Sequence, residues 1–138
     1  MYIVFGNEII DSSEIKDIIE NNSDFNVEKD LTKGSKREDT LAYQISIDVA
    51  LLNEVIKESY ELDSIDEEEL FDEYMTLSDE LAMELEEYMP EDIIINARAY
   101  KWDNSDNTIK LVLAMAHLEL GELKLSDITR RILTQVDL

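Results

Sequence analysis

No cysteine occurs in the chain, which excludes disulfide frameworks, thiolate metal sites and cysteine nucleophiles. His117 is the one imidazole, and it lies in an apolar run that suits a packed structural residue better than a general base. Proline occurs once and glycine three times, leaving no Gly-rich phosphate loop and no Gly-x-Ser-x-Gly elbow. Lys33-Gly34-Ser35 is a lone glycine in a polar stretch. Cations are scarce as well: 12 Lys plus Arg stand against 34 Asp plus Glu, a formal charge of -22. Nucleic acids and anionic membranes are polyanions, so direct binding to either is disfavoured. No apolar run reaches the ~18 residues of a membrane span. The first eight residues, Met1 to Glu8, lack the basic region and the apolar stretch of a signal peptide. These absences predict a cytoplasmic protein that is not an enzyme and holds no metal or cofactor.

What is present suffices for a core. Hydrophobic residues make up 44% of 138 positions and recur with regular periods, so the chain reads as a single acidic α+β domain over 1–138, a small antiparallel sheet packed with helices. Tyr2 to Phe5, ended by Gly6-Asn7, reads as a strand and turn. Ser12 or Ser13 opens a helix carrying Ile15, Ile18 and Ile19 and closed by Asn21-Asn22-Ser23. The polar stretch 23–39 reads as an exposed loop, where Lys29, Lys33, Lys36 and Arg37 offset Glu28, Asp30, Glu38 and Asp39. Leu41, Tyr43, Ile45, Ile47 and Val49 alternate with a period of two and predict a strand. Asp48 then caps a helix with Leu52, Val55, Ile56 and Tyr60; a helix starting near Asp39 is the competing reading. Residues 93–102 predict a strand, and 103–107 a turn. Residues 108–120 fit either its hairpin partner, which is preferred, or a helix closed by Gly121. Ser126 caps a terminal helix with Ile128, Ile132, Leu133 and Val136.

The stretch from Glu58 to Asp92 holds 16 acidic residues among 35, and no Lys or Arg occurs from Glu58 through Ala97. Leu70, Tyr74, Leu77, Leu81, Leu85 and Tyr88 are spaced 4, 3, 4, 4 and 3 apart, one continuous apolar helical face over about 64–89. Tyr74 and Tyr88 are therefore expected in the core. Ser64 is a candidate cap, Pro90 a stop, and Thr76-Leu77-Ser78-Asp79 a capping sequence that would divide the segment into two helices. Eleven acids fall in 66–89: Asp66, Glu67, Glu68, Glu69, Asp72, Glu73, Asp79, Glu80, Glu84, Glu86 and Glu87. If helical, the segment spans roughly 36 Å. That is about one charge per 3.3 Å, near the ~3.4 Å per charge of a single DNA strand. Uncompensated acids four apart repel by a few tenths of a kcal/mol, and a charge of -22 exceeds what solubility asks for.

Paired carboxylates are so abundant that a glycosidase reading can always be assembled from them and carries no information, and metal readings fail on ligand count. A di-metal bundle needs Glu-x-x-His, but Ala114 stands three residues before His117. The segment Asp103-Asn104-Ser105-Asp106-Asn107 begins like a calcium loop, yet its sixth position is Thr108 and its twelfth Ala114. What remains is a polyanionic face. In size, acidity and lack of catalytic parts, with the acids of Glu58 to Asp92 bearing the likeness, the chain resembles phage-encoded DNA-mimic inhibitors of bacterial defence of the anti-CRISPR and anti-restriction types. The resemblance implies a bacterial cytoplasm, a basic nucleic-acid-binding partner such as a nuclease or CRISPR effector, and the eleven acids named above as the contact set. Two other readings stand beside it: an immunity protein or antitoxin neutralising a cationic toxin, and an interaction domain whose acidity is incidental.

Overall fold

A computed structural model describes residues 1–136. The elements, in order, are β1 (Tyr2–Phe5), β2 (Glu8–Asp11), α1 (Ser12–Asn22), β3 (Asn26–Asp30), β4 (Thr40–Asp48), α2 (Val49–Ile56), α3 (Glu67–Met83), β5 (Ile93–Asp103), β6 (Thr108–His117) and α4 (Glu122–Val136). Short 3-10 turns lie at 32–35, 62–64, 84–88 and 118–120. The fold is α+β: an antiparallel sheet in the order β3-β4-β6-β5, and a separate β1–β2 hairpin. Among the described residues no helix is long and apolar enough to cross a membrane.

Strand β6 explains the layering. Every residue from Thr108 to Ala116 is buried, because β4 and β5 flank the strand and helices cover both its faces. Ile109, Leu111, Leu113 and Met115 join Leu41, Tyr43, Ile45 and Ile47 of β4 on one face. There they meet Ile15 and Ile19 of α1, Leu52 and Ile56 of α2, Tyr74 and Ala82 of α3, and Ile3 and Phe5 of the hairpin. Val112 and Ala42 on the opposite face pack with Ile128 and Ile132 of α4, and Ala114 and Ala116 with Leu125. A strand buried on both sides shows a continuous apolar run instead of alternation, which is why 108–120 also fitted a helix; the hairpin reading holds.

Further along that second face the sheet turns polar. A bulge in β3 between Val27 and Lys29 brings Glu28 to Ser46 Oγ, which donates to its carboxylate at 2.6 Å. Lys110 Nζ is 3.4 Å from the same carboxylate and 2.8 Å from Asp106. Burial opposes the Lys110 charge, but the two carboxylates outweigh it and raise its pKa, so a nearly buried ammonium is held by paired hydrogen bonds.

Several local expectations are corrected. The stretch 23–39 is not simply a loop: it contains β3 and a 3-10 turn. Only Val27 of β3 is even half-buried, so the strand exists through backbone pairing with β4 and leaves no side-chain periodicity. The predicted serine caps are displaced by aspartates one or two residues away, with Asp11 accepting from Ser13 N–H and Asp66 from Glu69 N–H; Ser64 lies in the 3-10 turn before α3. Ser126 is inside α4, not at its start. Asp48 does cap α2, which ends at Ile56, leaving Val55 and Tyr60 exposed. Helix α3 runs through Thr76–Asp79 without a break.

Gly6 is required by its setting. Its φ is +60°, and a Cβ would lie 2.8 Å from His117 Cδ2. The imidazole cannot easily yield: it packs edge-on against Phe5 at 5.7 Å, and its Nδ1 accepts the Glu119 N–H at 3.2 Å. Gly6→Ala is expected to cost about 1–3 kcal/mol through left-handed strain and this contact, read as a fall in Tm. In a His117→Ala background the loss should shrink; an equal loss in both would show that the contact contributes nothing.

Candidate interaction surface

Helix α3 begins where Asp66 Oδ1 accepts the Glu69 N–H at 2.8 Å. Glu67, Glu68 and Glu69 occupy the first turn, where the helix dipole favours them. Inward, Tyr74, Ser78 and Ala82 are buried. The small Ser78 and Ala82 side chains let the helix lie close against the sheet. Tyr74 hydroxyl donates to Asn53 Oδ1 at 2.5 Å, and its ring meets Trp102 edge-on at 5.0 Å. The helix then tightens into the 3-10 turn Glu84–Tyr88, where Leu85 is buried.

Fixing that inner face determines the outer one. Glu69, Asp72, Thr76 and Glu80, spaced 3, 4 and 4 apart on α3, are all exposed, and exposed Glu84 and Glu87 of the 3-10 turn extend this stripe to about 27 Å. Its five carboxylates give about one charge per 6 Å, roughly half the axial density of one DNA strand. Exposed Glu86 and half-buried Glu73 flank it and bring the density to about one per 3.9 Å. Glu80, Glu84, Glu86 and Glu87 crowd a helix C-terminus, where the dipole disfavours anions, so helix stability does not account for them. Among the described residues, no ion pair involves any of the eleven acids.

The structure does not bring all eleven into one surface. Asp66 is committed to the cap. Glu67 and Glu68 turn toward the β5–β6 hairpin, around a shallow depression with Phe71 and Trp102. Asp79 departs most from expectation. Asp92 carbonyl accepts the Leu118 N–H at 2.8 Å; by alternation along an antiparallel pair, Ile95, Ala97 and Ala99 direct their backbone groups away from β6. Asp79 Oδ1 accepts the Ala99 N–H at 2.6 Å, so this carboxylate closes part of the sheet edge instead of facing a partner.

Burial raises the Asp79 pKa, opposed by the Ala99 N–H and the charge of Arg98. An acid whose folded pKa is raised contributes stability that is greatest below the ordinary aspartate value of about 3.9 and is lost as pH rises through the folded value. Asp79→Ala should cost about 1–3 kcal/mol by orphaning the Ala99 N–H. Asp79→Asn keeps an acceptor, sheds the charge, and should be at least as stable as the parent at pH 7. Urea denaturation at pH 4.5 and 7 measures both; equal destabilisation by Ala and Asn at pH 7 would refute the edge-closing role.

Where α1 turns into β3, Asn22, Ser23, Asp24 and Phe25 approach Leu81, Glu84, Leu85, Glu87 and Tyr88 around a cavity of about 190 Å³, with Ile47 also lining it. Tyr88, expected in the core, is 47% exposed, because the 3-10 turn rotates it off the seam of α3. Its two walls are about 60 residues apart in the chain, and no local pattern announces their meeting. Among the described residues, no group of three or more His, Asp or Glu side chains is arranged to hold a metal ion. Asp103 accepts from the Ser105 N–H and hydroxyl, within the tight turn joining β5 and β6. Comparison with protein-family models, with curated proteins and with solved structures finds no match for the chain.

Proposed function

We propose that the chain is a nucleic-acid-mimicking inhibitor, which occupies the cationic DNA- or RNA-binding groove of a nuclease or CRISPR effector and blocks it without turnover. The observation that carries this reading is the outer stripe of α3: uncompensated carboxylates held in fixed register by a helix whose opposite face is locked into the core. Each carboxylate stands where a phosphate oxygen would meet an Arg or Lys of the target, and complementary fields speed the encounter. The reading predicts a bacterial cytoplasmic setting and a basic protein partner.

Displacement of fluorescent duplex DNA from a panel of bacterial nucleases and CRISPR effectors tests it directly. A positive result is competitive displacement from at least one enzyme, weakening steeply between 50 and 300 mM salt. Binding to a nuclease with no competition against DNA would instead favour the immunity-protein alternative.

A further inference from the structure

The cavity between the α1–β3 turn and the 84–88 turn combines three kinds of surface. Its apolar lining comes from Phe25, Ile47 and Leu85, all buried, and from half-buried Leu81. Tyr88 presents an aromatic side chain on the open side. Asp24, Glu84 and Glu87 line it with exposed carboxylates, and among the described residues none of the three has an ion-pair partner. No Lys or Arg lines the site.

An ammonium or guanidinium on a long aliphatic stem matches all three, the stem against the apolar lining and the charge among the carboxylates. Guanidinium matches better than ammonium: it is planar, weakly hydrated, stacks on aromatic rings and offers several donors to carboxylates at once. A hydrated lysine head gains little from the tyrosine face. From this we infer that the cavity is a socket for one arginine side chain of the protein partner, an anchor at the end of the α3 stripe. Glu84 and Glu87 belong to both, so stripe and socket form one continuous surface. Interfaces concentrate their energy in such buried arginine and aromatic contacts. The inference rests on the proposed reading only in requiring a partner that presents cations; it does not require that partner to bind nucleic acid.

The test uses the full chain and a defined probe. Nα-acetyl-arginine methylamide is titrated into the ¹⁵N-labelled protein at low ionic strength, in parallel with the lysine analogue. The expected result is saturable shifts confined to amides of 22–25 and 81–88, with a Kd of about 1–10 mM, as befits a ligand of this size, and binding of the lysine analogue at least about 3-fold weaker. Tyr88→Leu retains apolar bulk at an exposed position and should weaken arginine binding about 3-fold or more while leaving Tm unchanged; Glu84→Gln with Glu87→Gln should do likewise. Non-saturating shifts spread along all of α3, equal affinity for both probes, or an unaffected Tyr88→Leu variant would each overturn the socket. Saturable arginine binding by a protein that displaces DNA from no enzyme supports the socket and removes only the mimic reading. Displacement of DNA without arginine saturation removes only the socket.

Discussion

Reversing Glu69, Asp72 and Glu80 to Lys together is expected to reduce affinity for the target at least ~100-fold at physiological salt. These three lie on the outer stripe and make no ion pair among the described residues. Each reversal removes a charge-assisted contact worth about 1.5–3 kcal/mol before screening, and adds a repulsion in its place. The fold should survive: relief of like-charge repulsion along the helix, worth a few tenths of a kcal/mol per pair, offsets the dipole-favoured charge lost at Glu69 in the first turn, about 0.3–1 kcal/mol, so Tm should shift by no more than a few degrees. The same displacement assay reads the effect. Full inhibition by the triple variant at 150 mM salt would mean that the stripe is a solvated helix face and that the mimic reading is wrong. Reversing Asp79 is not an equivalent experiment, since that carboxylate holds the Ala99 N–H and its loss reports on folding.

The second large effect is expected in the sheet. Leu111 is fully buried on β6, opposite Ile45 of β4 and Ala99 of β5, in the layer beneath the helices. Leu111→Ala should cost about 3–4 kcal/mol, the transfer term plus the cavity that two flanking strands cannot close. For a domain of this length that corresponds to a fall in Tm of roughly 10–15 °C. Leu111→Met, which nearly conserves volume, should cost less than about 1.5 kcal/mol. Thermal unfolding followed by circular dichroism checks both; comparable losses from Ala and Met would indicate that shape rather than volume governs this layer.

Period and side-chain chemistry made much of this architecture legible. The alternation from Leu41 to Ile47 favoured a strand over the competing helix, because one face of β4 carries the large side chains Leu41, Tyr43, Ile45 and Ile47 and the other small or polar ones; Val49, read as continuing it, opens α2. The seam from Leu70 to Leu85 specified α3 for the equivalent helical reason. Where pairing depends on the backbone alone, as in β3, the residues carried no signal, and a polar edge strand looked like a loop. The caps of α1 and α3 went astray by one or two residues because aspartate and serine accept the same N–H groups, and Asp11 and Asp66 stood close to the serine candidates; at α4 the helix begins four residues before Ser126. For the surface, the charge run located the helix, but composition could not separate a carboxylate facing solvent from one such as Asp79 that serves the sheet. The cavity beside Tyr88 was invisible for another reason, since its two walls meet only after the sheet has formed.

The pairing of β4 with β6 has a consequence for synthesis. Asp48 meets Thr108 and Thr40 meets Ala116, so the apolar face of β4 leaves the ribosome about 60 residues before the strand that completes its hydrogen bonding. During that interval the nascent chain lacks the partner strand for Leu41, Tyr43, Ile45 and Ile47, the circumstance in which polypeptides associate wrongly. The residues made in the meantime, 49–107, carry 19 of the 34 acids, and like charge repels neighbouring unfinished chains. The same carboxylates that would face a target in the finished protein thus act earlier as a built-in solubiliser.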